Sequence, residues 1–256
     1  MTANKGQQLQ TILADINQRW GQKTIRRLGQ MPGAVSAIPT GFPALDQALG
    51  VGGLPRGRIS EIVGIPTSGM ATLALKVAAQ AQNGGGVVVY MDVGHTFDPA
   101  YAHRCGVLLA QLYLVQPAEV PQALAMLPDF LQSGGMDLFV LDLPLLLQTR
   151  PGITEQLAGS LGRVLAVLAH NNCTLLCLTT LPSPGDPTLA AYPPEAALPH
   201  YATIRLLIQK ARWLYRRRDV AGYEAQVLVV KNKLAPAGKQ IPIAITFNGV
   251  VDGDGA

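Results

Sequence analysis

The chain has 256 residues, 48% of them apolar and 14% charged, with 20 Lys and Arg against 16 Asp and Glu for a formal charge of +4. An ordinary soluble domain carries about 25% charged residues, so this balance excludes disorder, which needs low hydrophobicity and high charge, and excludes a strongly basic nucleic-acid coat. The length admits one large domain or two small ones. Few charges on so apolar a chain point to extensive buried surface, part of it between subunits.

Leu9, Ile12, Leu13, Ile16 and Trp20 form the stripe of an amphipathic helix within residues 7–28. Pro32, Gly33 and Ser36 break it. Residues 1–35 therefore read as an N-terminal helical arm and linker, and 36–256 as the core. The arm either packs on its own core or docks on a neighbouring subunit. After Ile38 the predicted order is strand 58–63, helix 70–82, and strands 86–91 and 112–115. A helical stretch at 118–132 follows, interrupted by Pro121 and Pro128. Then come strand 137–142, helix 154–171 and strand 173–180. Continuous apolar strands alternating with helices predict an α/β fold with a mostly parallel sheet and helices on both faces. From residue 203 the helices stop, and 203–215, 225–233 and 241–247 read as an antiparallel C-terminal extension. Residues 181–200 hold six prolines and no Lys or Arg, a long loop of the functional kind. Cys105, Cys173 and Cys177 lack metal-ligand spacing and read as core thiols, so no metal site is expected. The first ten residues lack a signal-peptide apolar region, and no apolar run reaches the roughly 18 residues of a membrane span. The expected location is the cytoplasm.

Strand 58–63 runs into Gly64-Ile65-Pro66-Thr67-Ser68-Gly69-Met70-Ala71-Thr72, with a helix after it. The Gly-x4-Gly spacing between strand and helix matches a P-loop. A working P-loop continues with Lys, which places a cation on the β and γ phosphates, and with Ser or Thr, which holds Mg²⁺. Met70 and Ala71 stand there instead. Pro66 removes a backbone donor from the cradle. The amides of a helix N-terminus survive as a modest anion site. Phe139-Val140-Leu141-Asp142 ends a strand in a carboxylate, the position of a Mg²⁺-linked Asp beside such a loop, although an ordinary loop Asp fits the same four residues.

Several segments together carry a family resemblance. Ile38-Pro39-Thr40-Gly41, Leu45-Asp46, Ala48-Leu49-Gly50, Gly52-Gly53-Leu54-Pro55 and Gly57-Arg58-Ile59 resemble the approach to the P-loop in bacterial RecA recombinases. So do Asp98-Pro99-Ala100-Tyr101-Ala102 with Gly106-Val107, and Val229-Val230-Lys231-Asn232-Lys233-Leu234-Ala235. The resemblance runs from about residue 5 to about 248 and leaves no room for the small C-terminal RecA domain. It implies a RecA-like P-loop core in which ATP sits between filament subunits. It assigns Lys231 and Lys233 as cations reaching a neighbour's site, Asp98 and Tyr101 as adenine-side contacts, and Asp142 as the Mg²⁺-linked carboxylate. Gly94 falls where the family has the glutamate that activates water, and Thr180 where it has a γ-phosphate-sensing glutamine. With lysine, hydroxyl, base and sensor all replaced, the expected protein hydrolyses no ATP and binds ATP or ADP weakly at most.

In size and degeneracy the chain resembles the ImuA-type RecA-like accessory proteins, which implies a role in DNA repair, recombination or damage-induced mutagenesis. The implied partners are RecA-like subunits, or the chain itself through its N-terminal helix, translesion polymerase components, and single-stranded DNA. An unusual ATPase or recombinase using other residues is the first alternative. The second is a DNA-binding module built on Lys210, Arg212, Arg216, Arg217 and Arg218, with Trp213 and Tyr215 interleaved. On a strand Arg212, Leu214 and Arg216 share one face, and Trp213, Tyr215 and Arg217 the other. The loops by which the family reads DNA are poor in cations here, with only Arg150 in the first.

Overall fold

The computed structural model describes residues 2–21, 35–144, 148, 150, 152–181 and 196–246. The chain divides into two compact units, Met1–Val35 and Ser36–Ala256.

In the first unit helix α1 spans Thr2–Trp20. It starts earlier than the apolar stripe predicts and stops at Trp20, where Gly21 turns into the left-handed region at φ +96°. Leu9, Ile12 and Trp20 are exposed.

The second unit is built on one eight-stranded sheet. Its strands are β3 (Ile59–Gly64), β4 (Val88–Asp92), β5 (Leu112–Val115), β6 (Leu138–Asp142), β7 (Thr174–Thr180), β8 (Ile204–Arg216), β9 (Asp219–Asn232) and β10 (Gln240–Thr246). Their order is β10-β9-β8-β3-β7-β6-β4-β5. Pairing is parallel from β8 through β5 and antiparallel from β8 to β10. β3, β4 and β6 are buried at every position, which explains the apolar runs Val88–Met91 and Leu138–Leu141, while β3 buries Ser60 and Glu61 among its apolar residues. The expected α/β sheet with an antiparallel C-terminal side is present.

One face of the sheet carries α2 (Pro43–Leu49), α3 (Met70–Asn83) and α4 (Pro99–Arg104), around Leu45, Leu73, Val77 and Ala102. The other carries α5 (Val120–Gln132), α6 (Ile153–Asn171) and α7 (Leu198–Tyr201), around Leu124, Phe139, Leu161 and Leu175. Helix α5 runs continuously through Pro128, contrary to the interruption expected there. Strand β9 begins six residues earlier than expected and closes a long hairpin with β8. A small sheet of β1 (Ala37–Ile38) and β2 (Leu54–Pro55) precedes β3. Its closeness requires Gly53, where a Cβ would stand 2.1 Å from the Ile38 carbonyl oxygen. No helix among the described residues is long and apolar enough to cross a membrane.

Candidate functional site

β3 delivers Gly64 to the C-terminal edge of the sheet, and α3 starts six residues later. The loop between them turns through Thr67 at φ +64° and Gly69 at φ +102°. The Ser68 amide donates to the Ile65 carbonyl at 3.2 Å, and the Leu73 amide to Gly69 at 2.9 Å. The sheet packs directly against this loop. A Cβ on Gly69 would lie 2.4 Å from Ile245 Cδ1 and 3.2 Å from the Tyr223 hydroxyl. Met70, at the lysine position, is only 8% exposed and belongs to the apolar cluster that also holds Ile208, Tyr223 and Ile245. Ala71 is exposed and has no oxygen to offer a metal.

Thr72, one residue further, is buried and sits among hydroxyls. Its Oγ1 shares a hydrogen bond with the Tyr101 phenol at 2.5 Å and another with Tyr223. Burial raises the Tyr101 phenol and pushes Tyr223 up to about 12. The two adenine-side candidates lie together at the start of α4. Asp98 Oδ1 caps that helix by accepting the Tyr101 amide at 3.0 Å, and the Arg104 guanidinium lies 5.5 Å from the Tyr101 ring centroid. Segments 29 residues apart in sequence therefore meet. Tyr223, which joins them from β9, has no motif in the sequence to announce it.

Asp142 ends β6, two strands from β3 and level with Asp92 of β4. That places it about 10 Å across the sheet from β3. It is 8% exposed and accepts the Tyr90 hydroxyl at 2.8 Å. Asp92 is fully buried and accepts the Thr96 and Phe97 amides and the Gln116 amide nitrogen, each at 3.0 Å. Burial, opposed by the Tyr90 bond and assisted by the Asp92 charge, lifts the Asp142 carboxyl to about 6. A carboxyl raised in the folded state costs stability where it is ionised. That cost is absent below about pH 4 and complete above pH 6. Asp142→Asn keeps an acceptor for Tyr90, so above pH 6 it stabilises the fold by up to about 3 kcal/mol. The gain fades to nothing by pH 4, as denaturant melts at both pH values will read.

Gly94 lies just beyond β4, with open room: a Cβ there would make only ordinary contacts, the nearest at 3.6 Å. Thr180 ends β7 opposite Gly64. Among the described residues no group of three or more His, Cys, Asp or Glu is placed to hold a metal ion, and the three cysteines are buried thiols. A Mg²⁺-bound triphosphate does not fit this loop: a buried thioether stands where the phosphate cation belongs, and a methyl group where the metal needs oxygen.

A second polar cluster lies on the opposite face of the sheet. Glu61 of β3 is fully buried and paired with Arg205 of β8 at 2.5 Å. Thr179 donates to Glu61 at 2.8 Å, and Gln148 donates to Thr179 at 3.1 Å and to the Leu143 carbonyl at 2.7 Å. Next to Arg205 in register stands Lys231, whose ammonium donates to the Pro199 carbonyl at 2.6 Å and to the His200 carbonyl at 3.4 Å. Partial burial, then the Lys233 and Arg205 charges, lower its pKa. Lys233 is exposed. Of the two lysines expected to reach a neighbour, one is thus engaged within its own chain.

The DNA candidates Lys210, Arg212, Arg216, Arg217 and Arg218 gather on the β8–β9 hairpin. β8 ends at Arg216, and Arg217 sits in the turn at φ +60°, not on the strand face shared by Trp213 and Tyr215. Arg212 pairs with Glu224 at 2.9 Å. Most of the proline-rich loop, residues 182–195, lies outside the described residues. Of Gln148-Thr149-Arg150, only Thr149 does.

A glycine loop between a central parallel strand and a helix, with a strand-end carboxylate two strands away, defines a nucleotide-binding core of the P-loop kind. The model of the RecA N-terminal domain matches residues 7–171, and this chain belongs to the RecA family. It is 35% identical to Protein RecA of Bartonella tribocorum, over 95% of this chain and 75% of that protein. It is 34% identical to Protein RecA of Thermus aquaticus, over 98% of this chain and 79% of that one. A solved RadB recombinase shares the fold with a TM-score of 0.67 and 21% identity, covering 83% of this chain and 97% of its own.

Proposed function

We propose that this protein is a RecA-family recombination protein that has lost ATP hydrolysis and acts through contacts with other recombinase subunits. The observation that carries the reading is Met70, buried at the first position of α3 where phosphate chemistry requires a cation. Ala71, Gly94 and Thr180 remove the metal hydroxyl, the water-activating carboxylate and the sensor from the same reaction. ATP or ADP binds weakly, through the loop amides and Tyr101. Lys231 stands beside Arg205, on the face of the sheet opposite this loop, and Lys233 is exposed just past β9, so both cations are retained while the loop's own groups are lost. A molecule of this kind completes the ATP site of an active neighbour and cannot offer one itself, and so caps or modifies a filament end. The ImuA-type role beside a translesion polymerase in damage-induced mutagenesis, in the cytoplasm, follows from this reading.

The test is co-sedimentation with RecA filaments formed on single-stranded DNA with a non-hydrolysable ATP analogue. The wild-type chain associates, and Lys231→Ala/Lys233→Ala associates at least tenfold more weakly. Equal association of both overturns the reading. The exposed stripe of α1 adds a second expectation: Leu9→Glu/Ile12→Glu reduces association with the filament or with a second copy, read by the same assay and by sedimentation velocity.

A further inference from the structure

β3 accompanies β8 from Ile204 to Ile208, where β3 itself ends at Gly64. β8 runs on to Arg216, and past Ile208 only β9 pairs with it among the described residues. The side of β8 turned away from β9 is therefore an open sheet edge over its outer half, a row of main-chain donors and acceptors that no described strand takes up. Ala211 is an extra residue between the pairs Lys210–Ala225 and Arg212–Glu224, and such a bulge re-aims the side chains around it. The second irregularity, at Ala221, lies in β9, so β8 is regular from Arg212 to Arg216.

Side chains alternate between the two faces of this stretch. Arg212, Leu214 and Arg216 stand on one face, which is cationic. Arg212 pairs with Glu224 at 2.9 Å while its side chain stays 71% exposed, and Arg216 has no ion pair with a described residue. Trp213 and Tyr215 stand on the other, 46% and 64% exposed, with the exposed Val220 opposite Tyr215. The Lys210 ammonium lies 4.0 Å from the Trp213 ring centroid, and the Tyr223 ring meets Trp213 at 6.1 Å and 81°, which fixes the indole in place. Like charges keep two copies of this edge apart. A nucleic acid would neutralise the arginines, but phosphates only accept hydrogen bonds and leave the carbonyls of the edge unpaired, and the indole face a base would stack on already carries an ammonium. An extended polypeptide supplies both donors and acceptors.

We propose that the open edge of β8 from Arg212 to Arg216 docks a partner protein by strand addition, taking an extended segment that alternates acidic and apolar residues. The partner's main chain pairs with the edge. Its carboxylates fall on the Arg212 and Arg216 face, and its apolar side chains fall on Trp213 and Tyr215. The period of two that sorts β8 into a cationic and an aromatic face thus sets the period of the segment it accepts. This surface is independent of the reading of the ATP site, and either can fail alone.

The experiment is fluorescence anisotropy of the full chain with labelled peptides of equal length and composition: one alternating Glu and Val, one with all Glu before all Val, and the alternating one N-methylated at every amide. The alternating peptide binds saturably, at least tenfold more tightly than either of the others. Arg216→Glu, at an exposed position, weakens it at least fivefold without altering thermal stability. Arg212→Glu/Arg216→Glu weakens it at least tenfold and binds an alternating Lys and Val peptide that the wild-type chain does not. Deuterium exchange reads the edge directly: amides within Arg212–Arg216 exchange at least tenfold more slowly with the alternating peptide bound, and those of β10 are unchanged. No binding of the alternating peptide, equal binding of the three peptides, or unchanged exchange at Arg212–Arg216 overturns the proposal. So does oligo(dT) that displaces the alternating peptide and itself loses affinity in Arg216→Glu, which would make the edge a nucleic-acid surface.

Discussion

On the proposed reading, a phosphate-release assay on purified protein is expected to show ATP turnover at least a thousandfold slower than that of an active RecA, and Met70→Lys/Ala71→Thr is expected not to restore the rate. Removing a single charge-stabilising donor from a transition state costs about 10²–10³ in rate. On the proposed reading, the positions of the phosphate cation, the metal hydroxyl, the water-activating carboxylate and the sensor are held by Met70, Ala71, Gly94 and Thr180. The double substitution returns two of these groups and leaves the attacking water without a base. Adding Gly94→Glu and Thr180→Gln completes the set. Gly94 has room for a side chain, since its Cβ would make only ordinary contacts. The quadruple variant therefore regains measurable, Mg²⁺-dependent phosphate release. Turnover by the wild-type chain, lost on Asp142→Ala, would show that other residues do the chemistry.

Arg205→Ala destabilises the fold by about 3–5 kcal/mol, because it leaves Glu61 fully buried without its cation. At roughly 2–4 °C per kcal/mol for a domain of this size, the melting temperature falls by about 10 °C. Glu61→Leu/Arg205→Leu loses far less, since neither charge remains in the sheet. Thermal melts of the single and double variants decide this, and equal losses would show that the pair is not the source of the effect. The pair ties β3 to β8, and Thr179 with Gln148 extends it to β7 and to the segment after β6. It therefore braces the edge of the sheet from which both the glycine loop and the proline-rich loop depart.

The parallel half of the sheet was legible because burial on both faces leaves an unmistakable apolar run at β4, β6 and β7. Helix α5 was misread at Pro128, where periodicity carried more information than the proline penalty. β9 was read six residues short, since Val220, Ala221 and Gly222 beside an arginine-rich turn look like loop until paired with β8. The glycine loop, Asp142 and the α4 cap declare themselves through local spacing. Tyr223 and the Glu61–Arg205 pair do not, because their meaning comes from strands more than a hundred residues apart in sequence. The cis engagement of Lys231 with Pro199 and His200 is likewise a product of tertiary contact.

Isothermal titration of ATP into the protein, with and without Mg²⁺, tests the central claim most directly. A loop with Met70 buried and Ala71 at the metal position gives weak heat, unaltered by Mg²⁺, with dissociation constants above about 1 mM. Micromolar binding that depends on Mg²⁺ and is lost on Asp142→Ala would contradict it.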